Sequence, residues 1–175
     1  MPLDKSKIFK PINIALLTVS DTRTAAEDTS GNILAERIIA AGHKLVVRAI
    51  ERDDTTRLDA RLHNWIDDEA IDCVISTGGT GLTGRDITPE ALDRVKSKDI
   101  PGFGELFRWL SFDSIGTSTL QSRACAVVAR GTYIFALPGS NGGVKDGWDK
   151  ILVHQLDSRH TPCNFVQLMP RLQER

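Results

Sequence analysis

The sequence predicts a three-layer α/β/α sandwich on a mostly parallel sheet, with one antiparallel strand pair. Three observations carry this. The apolar stretches are short continuous runs rather than alternating ones, as in strands buried on both faces. They alternate with segments whose apolar residues recur at helical spacing, and right-handed crossovers then place helices on both sides of the sheet. One pair of runs, 125–129 and 132–137, is joined only through Arg130-Gly131, which leaves room for a hairpin and not for a crossover.

Residues 12–19 (INIALLTV) form the first strand and end at Ser20-Asp21. Thr29 or Ser30 is the expected cap of the next helix, with Ile33, Leu34, Ile38 and Ala41 at helical spacing and Gly42 as its stop. Residues 44–50 form the second strand, ending at Asp53-Asp54, and Thr55 or Thr56 is the expected cap of a helix with Leu58, Leu62, Trp65 and Ile66 on one face. Residues 72–76 form the third strand and run into TGGTGLTGRDITPEA. Thr88 is the expected N-cap there, with Pro89 at N1 and Glu90 in the first turn of a helix through Val95. Residues 103–112 are a further helix, followed by the strand pair and, after Pro138-Gly139-Ser140, a helix over 143–153. The last twenty residues, with Pro162 and Pro170, read as irregular.

The chain has 175 residues, which suits one domain and a core that needs neither disulfide nor structural metal. Its formal net charge of −1 predicts no bulk attraction to nucleic acid or to an anionic membrane. The N-terminal MPLDKSKIFKPI carries charges where a signal peptide would be apolar, and no stretch reaches membrane-spanning length. Cys73, Cys125 and Cys163 are odd in number and form no CxxC, so a reducing, cytoplasmic setting is expected, with Cys73 and Cys125 as small core residues.

Ligands of such sheets sit outside the carboxyl ends of the strands. Four exits here carry small, polar or acidic residues: Ser20-Asp21, Asp53-Asp54, Thr77 to Asp86, and Pro138 to Ser140. In Thr77-Gly78-Gly79-Thr80-Gly81, glycines let backbone N–H groups turn inward around an anion. The literal GxGxxG at 79–84 is no dinucleotide fingerprint, because it follows the third strand and ends before the helix begins. Arg85-Asp86 after the last glycine rules out a Walker motif. Asp53 and Asp86 face one crevice, and two carboxylates beside a phosphate cradle are what Mg²⁺ takes along with phosphate oxygens and water. The plain alternatives are a turn aspartate ahead of Thr88 and a loop acid ahead of a helix. Arg23, Arg85 and Arg123 are phosphate candidates, with a surface arginine as the default reading. The four histidines show no metal-ligand spacing.

These loops resemble the molybdenum cofactor biosynthesis protein B and molybdopterin adenylyltransferase family, also found as a domain in gephyrin. The match lies in Thr18 to Arg23, Asp28 to Gly31, Thr77 to Gly81, Arg85 to Ala91, Pro101 to Glu105, Ser118 to Arg123 and Leu137 to Ser140. It spans about residues 10–168 of one molybdopterin-binding domain, and LSFDSIGTSTLQSR (110–123) looks like the protein B branch. Arg52 stands where adenylyltransferases often have proline, and Asn141 where many relatives have proline.

The resemblance implies a pterin crevice, a homotrimer or homohexamer, and a reaction in which Mg-ATP and molybdopterin give adenylylated molybdopterin and pyrophosphate. Asp53 and Asp86 match the acids of the reaction and the Mg²⁺ site. Ser20, Asp21, Thr77 to Gly81, Ser122, Arg123 and Pro138 to Ser140 match the ligand-binding loops. A non-catalytic molybdopterin carrier is the alternative. An independent feature points to an oligomer: Phe103, Leu106, Phe107 and Leu110 make one core stripe, while Trp109 and Phe112 fall off it and need another cover, a partner subunit or the C-terminal tail.

Overall fold

The computed structural model describes residues 3–174. Six strands form one sheet in the order β2-β1-β3-β6-β5-β4. Strands β1 (Asn13–Val19), β2 (Lys44–Glu51), β3 (Cys73–Thr77) and β6 (Thr132–Leu137) run parallel, and β5 (Cys125–Ala129) pairs antiparallel with β6. With helices on both faces this is the expected α/β class. The continuous apolar runs are the reason. In β1, Ile14 and Leu16 enter one core while Ala15, Leu17 and Val19 enter the other. A strand that is apolar at every position must be covered twice.

The first core is closed by α1 (Thr29–Ala40), α4 (Pro101–Ile115) and α5 (Asn141–Gly147), through Leu34, Ile38, Phe103, Phe107 and Val144. The second is closed by α2 (Thr55–Ile66) and α3 (Thr88–Val95), through Leu58, Leu62, Ala91 and Leu92. The chain steps outward from β1 to β2 across one face and returns to β3 across the other. The strand order therefore reverses between β1 and β3, where a crevice opens at their carboxyl ends.

The structure moves several expected boundaries. Asp28, not Thr29 or Ser30, caps α1 by accepting from the Gly31 amide, and Asp54, not Thr55 or Thr56, caps α2 by accepting from the Arg57 amide. A carboxylate one residue upstream reaches the same orphan amides with a full charge. Thr88 is the first residue of α3 rather than its cap, and its hydroxyl donates instead to the Gly78 carbonyl at 2.9 Å. Helix α4 begins at Pro101, two residues earlier than expected, and passes through a 3-10 turn, Gly116–Gln121, that the sequence did not signal. A two-residue edge strand β4 (Lys98–Asp99), too short and polar to carry an apolar pattern, pairs with β5. The helix expected over 143–153 starts at Asn141, passes through a π turn at Trp148–Leu152 and continues as α6 (Val153–Gln155).

The C-terminal stretch is less irregular than expected. A short α7 (Phe165–Leu168), capped by Asn164, brings Phe165 to 4.9 Å from the Tyr133 ring and 5.5 Å from Phe135. Cys73 is fully buried, and Cys125 is half-buried, with burial pushing its thiol up to about 11, so both behave as small apolar residues. No helix among the described residues is long and apolar enough to cross a membrane.

One buried charge ties this framework together behind the crevice. Asp28 is fully buried and accepts from the Thr18 hydroxyl at 2.6 Å, the Arg48 guanidinium at 2.7 Å and the Gly31 amide at 3.0 Å. It links β1, β2 and the start of α1. Burial acts to raise its pKa, but these three donors outweigh that and hold it below the ordinary carboxylate value of 3.8. Asp28→Ala should cost about 3 kcal/mol in urea unfolding, because it strands Arg48 and the Thr18 hydroxyl. The folded-state pKa is depressed, so the stabilisation is complete above 3.8 and is lost as pH falls through the lower folded value. The gap between wild type and variant should hold at neutral pH and close in acid.

Candidate functional site

The crevice is a cavity of about 900 Å³ at the carboxyl edge of the sheet. One wall is the glycine loop after β3. Gly78 and Gly79 lie at φ +101° and +64°, a region that favours glycine, and a β-carbon on Gly78 would stand 2.2 Å from the Val19 carbonyl oxygen. The Gly78 amide is spent on Leu137 at 3.0 Å, and the Gly81 amide is turned toward Asp86. Of the expected cradle, the amides of Gly79 and Thr80 make no hydrogen bond to the described residues and remain for a ligand.

Among the expected ligand-binding residues, Ser20, Gly78, Gly79, Thr80, Gly81, Ser122, Pro138, Gly139 and Ser140 line this cavity, as do Asp53 and Asp86. Three others stand behind it. Thr77 is buried, and its hydroxyl donates to the Pro138 carbonyl at 2.9 Å, tying the β3 exit to the β6 exit. Asp21 accepts from Arg85 Nε at 2.9 Å on the outer side of the loop. Arg123 is a clasp: its guanidinium donates to the carbonyls of Gly81 and Asp86, each at 2.7 Å, and pairs with Glu90. Those bonds use the donors that a phosphate would need, and they hold the loop that carries Asp86.

The two acids differ. Asp53 rests against the glycine loop, where a β-carbon on Gly79 would come within 3.0 Å of its Oδ1. Burial first, then the charges of Asp21 and Asp86, push its pKa up, and Arg85 partly offsets them. Asp86 accepts at Oδ2 from the Thr83 hydroxyl at 2.6 Å and the Thr83 amide at 2.8 Å. The hydroxyl bond outweighs burial and holds it below the ordinary range. It is therefore a turn aspartate and a crevice acid at once. Magnesium takes one or two carboxylates and completes its shell with phosphate oxygens and water. Asp53 and Asp86 fit that demand: both line one cavity, and the crowded negative charge that raises Asp53 is what a cation relieves.

The opposite wall was not read from the sequence. It comes from α4 and the turn after it, through Phe107, Ser111, Ser114, Ile115, Ser118 and Gln121. Ser111 is 2% exposed and its hydroxyl has no hydrogen-bond partner among the described residues. A buried hydroxyl left unpaired costs stability unless a ligand supplies the partner. The available signal was the spacing of Ser111, Ser114 and Ser118 at i, i+3 and i+7, a polar stripe beside the apolar one. Lys145 on α5 was also missed; it lines the cavity and makes no ion pair among the described residues.

Comparison with known proteins places this geometry. The family whose profile matches residues 15–158 is described as a probable molybdopterin binding domain. Molybdenum cofactor biosynthesis protein B of Escherichia coli K12 is 48% identical over 157 residues, covering 90% of this chain and 92% of that protein. The Bacillus subtilis protein of the same name is 39% identical, over 83% and 86%. A crystal structure of molybdenum cofactor biosynthesis protein B superposes with a TM-score of 0.83 at 37% identity, covering 86% of this chain and 94% of that one. The tungsten cofactor synthesizing protein MoaB from Pyrococcus furiosus gives 0.73 at 35%, over 82% and 91%. On its glycine loop, its paired exits and these matches, the chain belongs to the molybdenum cofactor biosynthesis protein B family.

Proposed function

We propose that this protein works in molybdenum cofactor biosynthesis by binding molybdopterin in the crevice and adenylylating it with Mg-ATP, releasing pyrophosphate. The pathway assignment rests on the family. The reaction rests on one observation above the others: Asp53 and Asp86 share a cavity with an open pair of backbone amides, so metal-binding acids and an anion cradle meet at one place. The cytoplasm is the proposed setting.

The chemistry asks for alignment and charge compensation more than for covalent help. The terminal phosphate of molybdopterin is ionised at neutral pH and attacks the α-phosphorus of ATP itself. A phosphorus–oxygen bond forms there as the bond to pyrophosphate breaks, so no general base is needed. The Gly79 and Thr80 amides orient a phosphate against the β3 exit. Asp53 and Asp86 would hold the magnesium, whose charge offsets that of the phosphate oxygens when it is bound. Ser111, Ser114 and Ser118 offer hydroxyls along the far wall to the polar edge of a pterin. A carrier without turnover is the second reading. It is favoured by Asp86, which already spends Oδ2 on Thr83.

Asp53→Asn should lower pyrophosphate release on the order of 100-fold or more while leaving the urea midpoint near wild type. Without Mg²⁺ the Asp53 carboxyl should titrate above the ordinary carboxylate range, Arg85→Gln should move it higher still by removing the offsetting charge, and added Mg²⁺ should bring it down. Equal rates for Asp53→Asn and wild type would leave only the carrier reading.

Ser111→Ala should leave stability unchanged or slightly raised, since no partner among the described residues is lost, and weaken molybdopterin binding about 5- to 10-fold. Unchanged affinity in a titration followed by pterin fluorescence would remove α4 from the ligand site.

The proposed assembly is a trimer or a dimer of trimers. Trp109 is 73% exposed and Leu120 78%, with Phe112 and Ile115 more than half exposed beside them. The C-terminal segment packs on Tyr133 and Phe135 instead of on this face. Sedimentation at micromolar concentration should show an oligomer, and Trp109→Ala should weaken it. A monomer would refute the assembly.

A further inference from the structure

We propose that the groove beside the crevice, between the loop after β1 and the start of α2, is a second anion subsite that holds the polyphosphate tail of the nucleotide. This rests on the adenylylation reading. The groove has a volume of about 420 Å³, and Ser20, Thr22 and Arg23 line both it and the main cavity. One loop is thus the shared wall of two adjoining spaces.

The argument is one of charge. The groove holds two acids, and both are already matched from outside it. Asp21 accepts from Arg85 Nη2 at 2.5 Å, and Glu51 accepts from Arg61 Nη2 at 2.7 Å. Its cations are not matched in the same way. Arg52 makes no side-chain hydrogen bond or ion pair among the described residues, and Arg57 reaches only Glu51, at 4.0 Å. The groove therefore keeps free positive charge in a chain whose net charge is −1. The other arginines near the crevice are committed: Arg23 to Ser30 and the Gly139 carbonyl, Arg123 to the Asp86 loop.

The reaction supplies a use for that charge. In-line transfer puts entering and leaving oxygens on opposite sides of phosphorus, so the leaving diphosphate needs a berth apart from the one that holds the attacking phosphate. Arg52, unpaired among the described residues, and Arg57, held only by a 4.0 Å contact to Glu51, can present bidentate donors that suit a diphosphate. Arg52 lines the groove and Asp53, the next residue, lines the main cavity, so consecutive residues of one loop face the two spaces. The bond that breaks would lie there, with the nucleotide's β- and γ-phosphates over Arg52 and Arg57.

Calorimetric titration of the full chain with ATP, AMP and inorganic pyrophosphate, in the presence of Mg²⁺, tests this. Arg52→Gln/Arg57→Gln should bind ATP and pyrophosphate at least tenfold more weakly than wild type and AMP within about twofold, because AMP has no tail. Both positions are exposed, so a thermal melt matching wild type should show the variant folded, and Arg52→Lys/Arg57→Lys should recover part of the affinity. Unchanged ATP and pyrophosphate affinity in the glutamine variant overturns the subsite, and so does an equal loss for AMP. If wild type binds pyrophosphate and the variant does not, yet wild type forms no adenylylated product, the subsite stands as a diphosphate site and the adenylylation reading falls. If wild type binds neither ATP nor pyrophosphate, the subsite is overturned.

Discussion

At the carboxyl edge of the sheet the backbone of Gly78 lies so close to β1 that any β-carbon would stand 2.2 Å from the Val19 carbonyl oxygen. Gly139 approaches the same spot from β6, where its own β-carbon would be 3.3 Å from the Gly78 Cα. Three strand exits are thereby drawn into one place. Thr77 reinforces this by donating to Pro138, and Thr88 by donating to Gly78. A side chain at Gly78 would push β3 away from β1 and close the crevice from within. The glycine-rich loop is thus first a packing requirement, and only its next two amides are left open among the described residues.

Around that contact, the charged groups divide between holding the loops and facing the cavity. Asp28, Asp21, Arg85 and Arg123 spend their hydrogen bonds on protein, and Asp86 spends part of its own. Asp53 accepts from the Asp21 backbone amide, but burial and two nearby carboxylates still push it toward the protonated form. A group whose ionised state is disfavoured by its surroundings gains most from an arriving cation. The opposite directions of the Asp53 and Asp86 shifts separate a crowded crevice acid from one whose hydrogen bonds also shape the turn.

Helix α4 serves three surfaces. Phe103 and Phe107 fill the core, Ser111 and Ser114 line the crevice, and Trp109 and Phe112 lie in the open. A helix with three differing faces shows only a weak amphipathic pattern, which is why one stripe was readable and the others were not. If a second subunit covers Trp109, assembly and ligand binding act on the same rigid element, since the crevice wall and the outer face share a backbone.

The sequence alone determined the layered α/β class, because runs apolar at every position require cover on both faces, and local patterning is enough to show it. It also marked the polar exits, since glycines, threonines and acids at strand ends need no tertiary context to stand out. Tertiary structure decided what each polar group does. Arg123 is 37 residues from Asp86 in sequence, and its role as a clasp depends on β5 returning antiparallel beside the loop. Asp28 outcompeted its neighbours as a cap because Arg48 and Thr18, from two other strands, also needed it. Ser111 became a cavity residue only when α4 folded across the β3 and β6 exits. Hydrogen-bond partners far apart in sequence are chosen by the fold, so a polar residue's type could be read in advance and its partner could not.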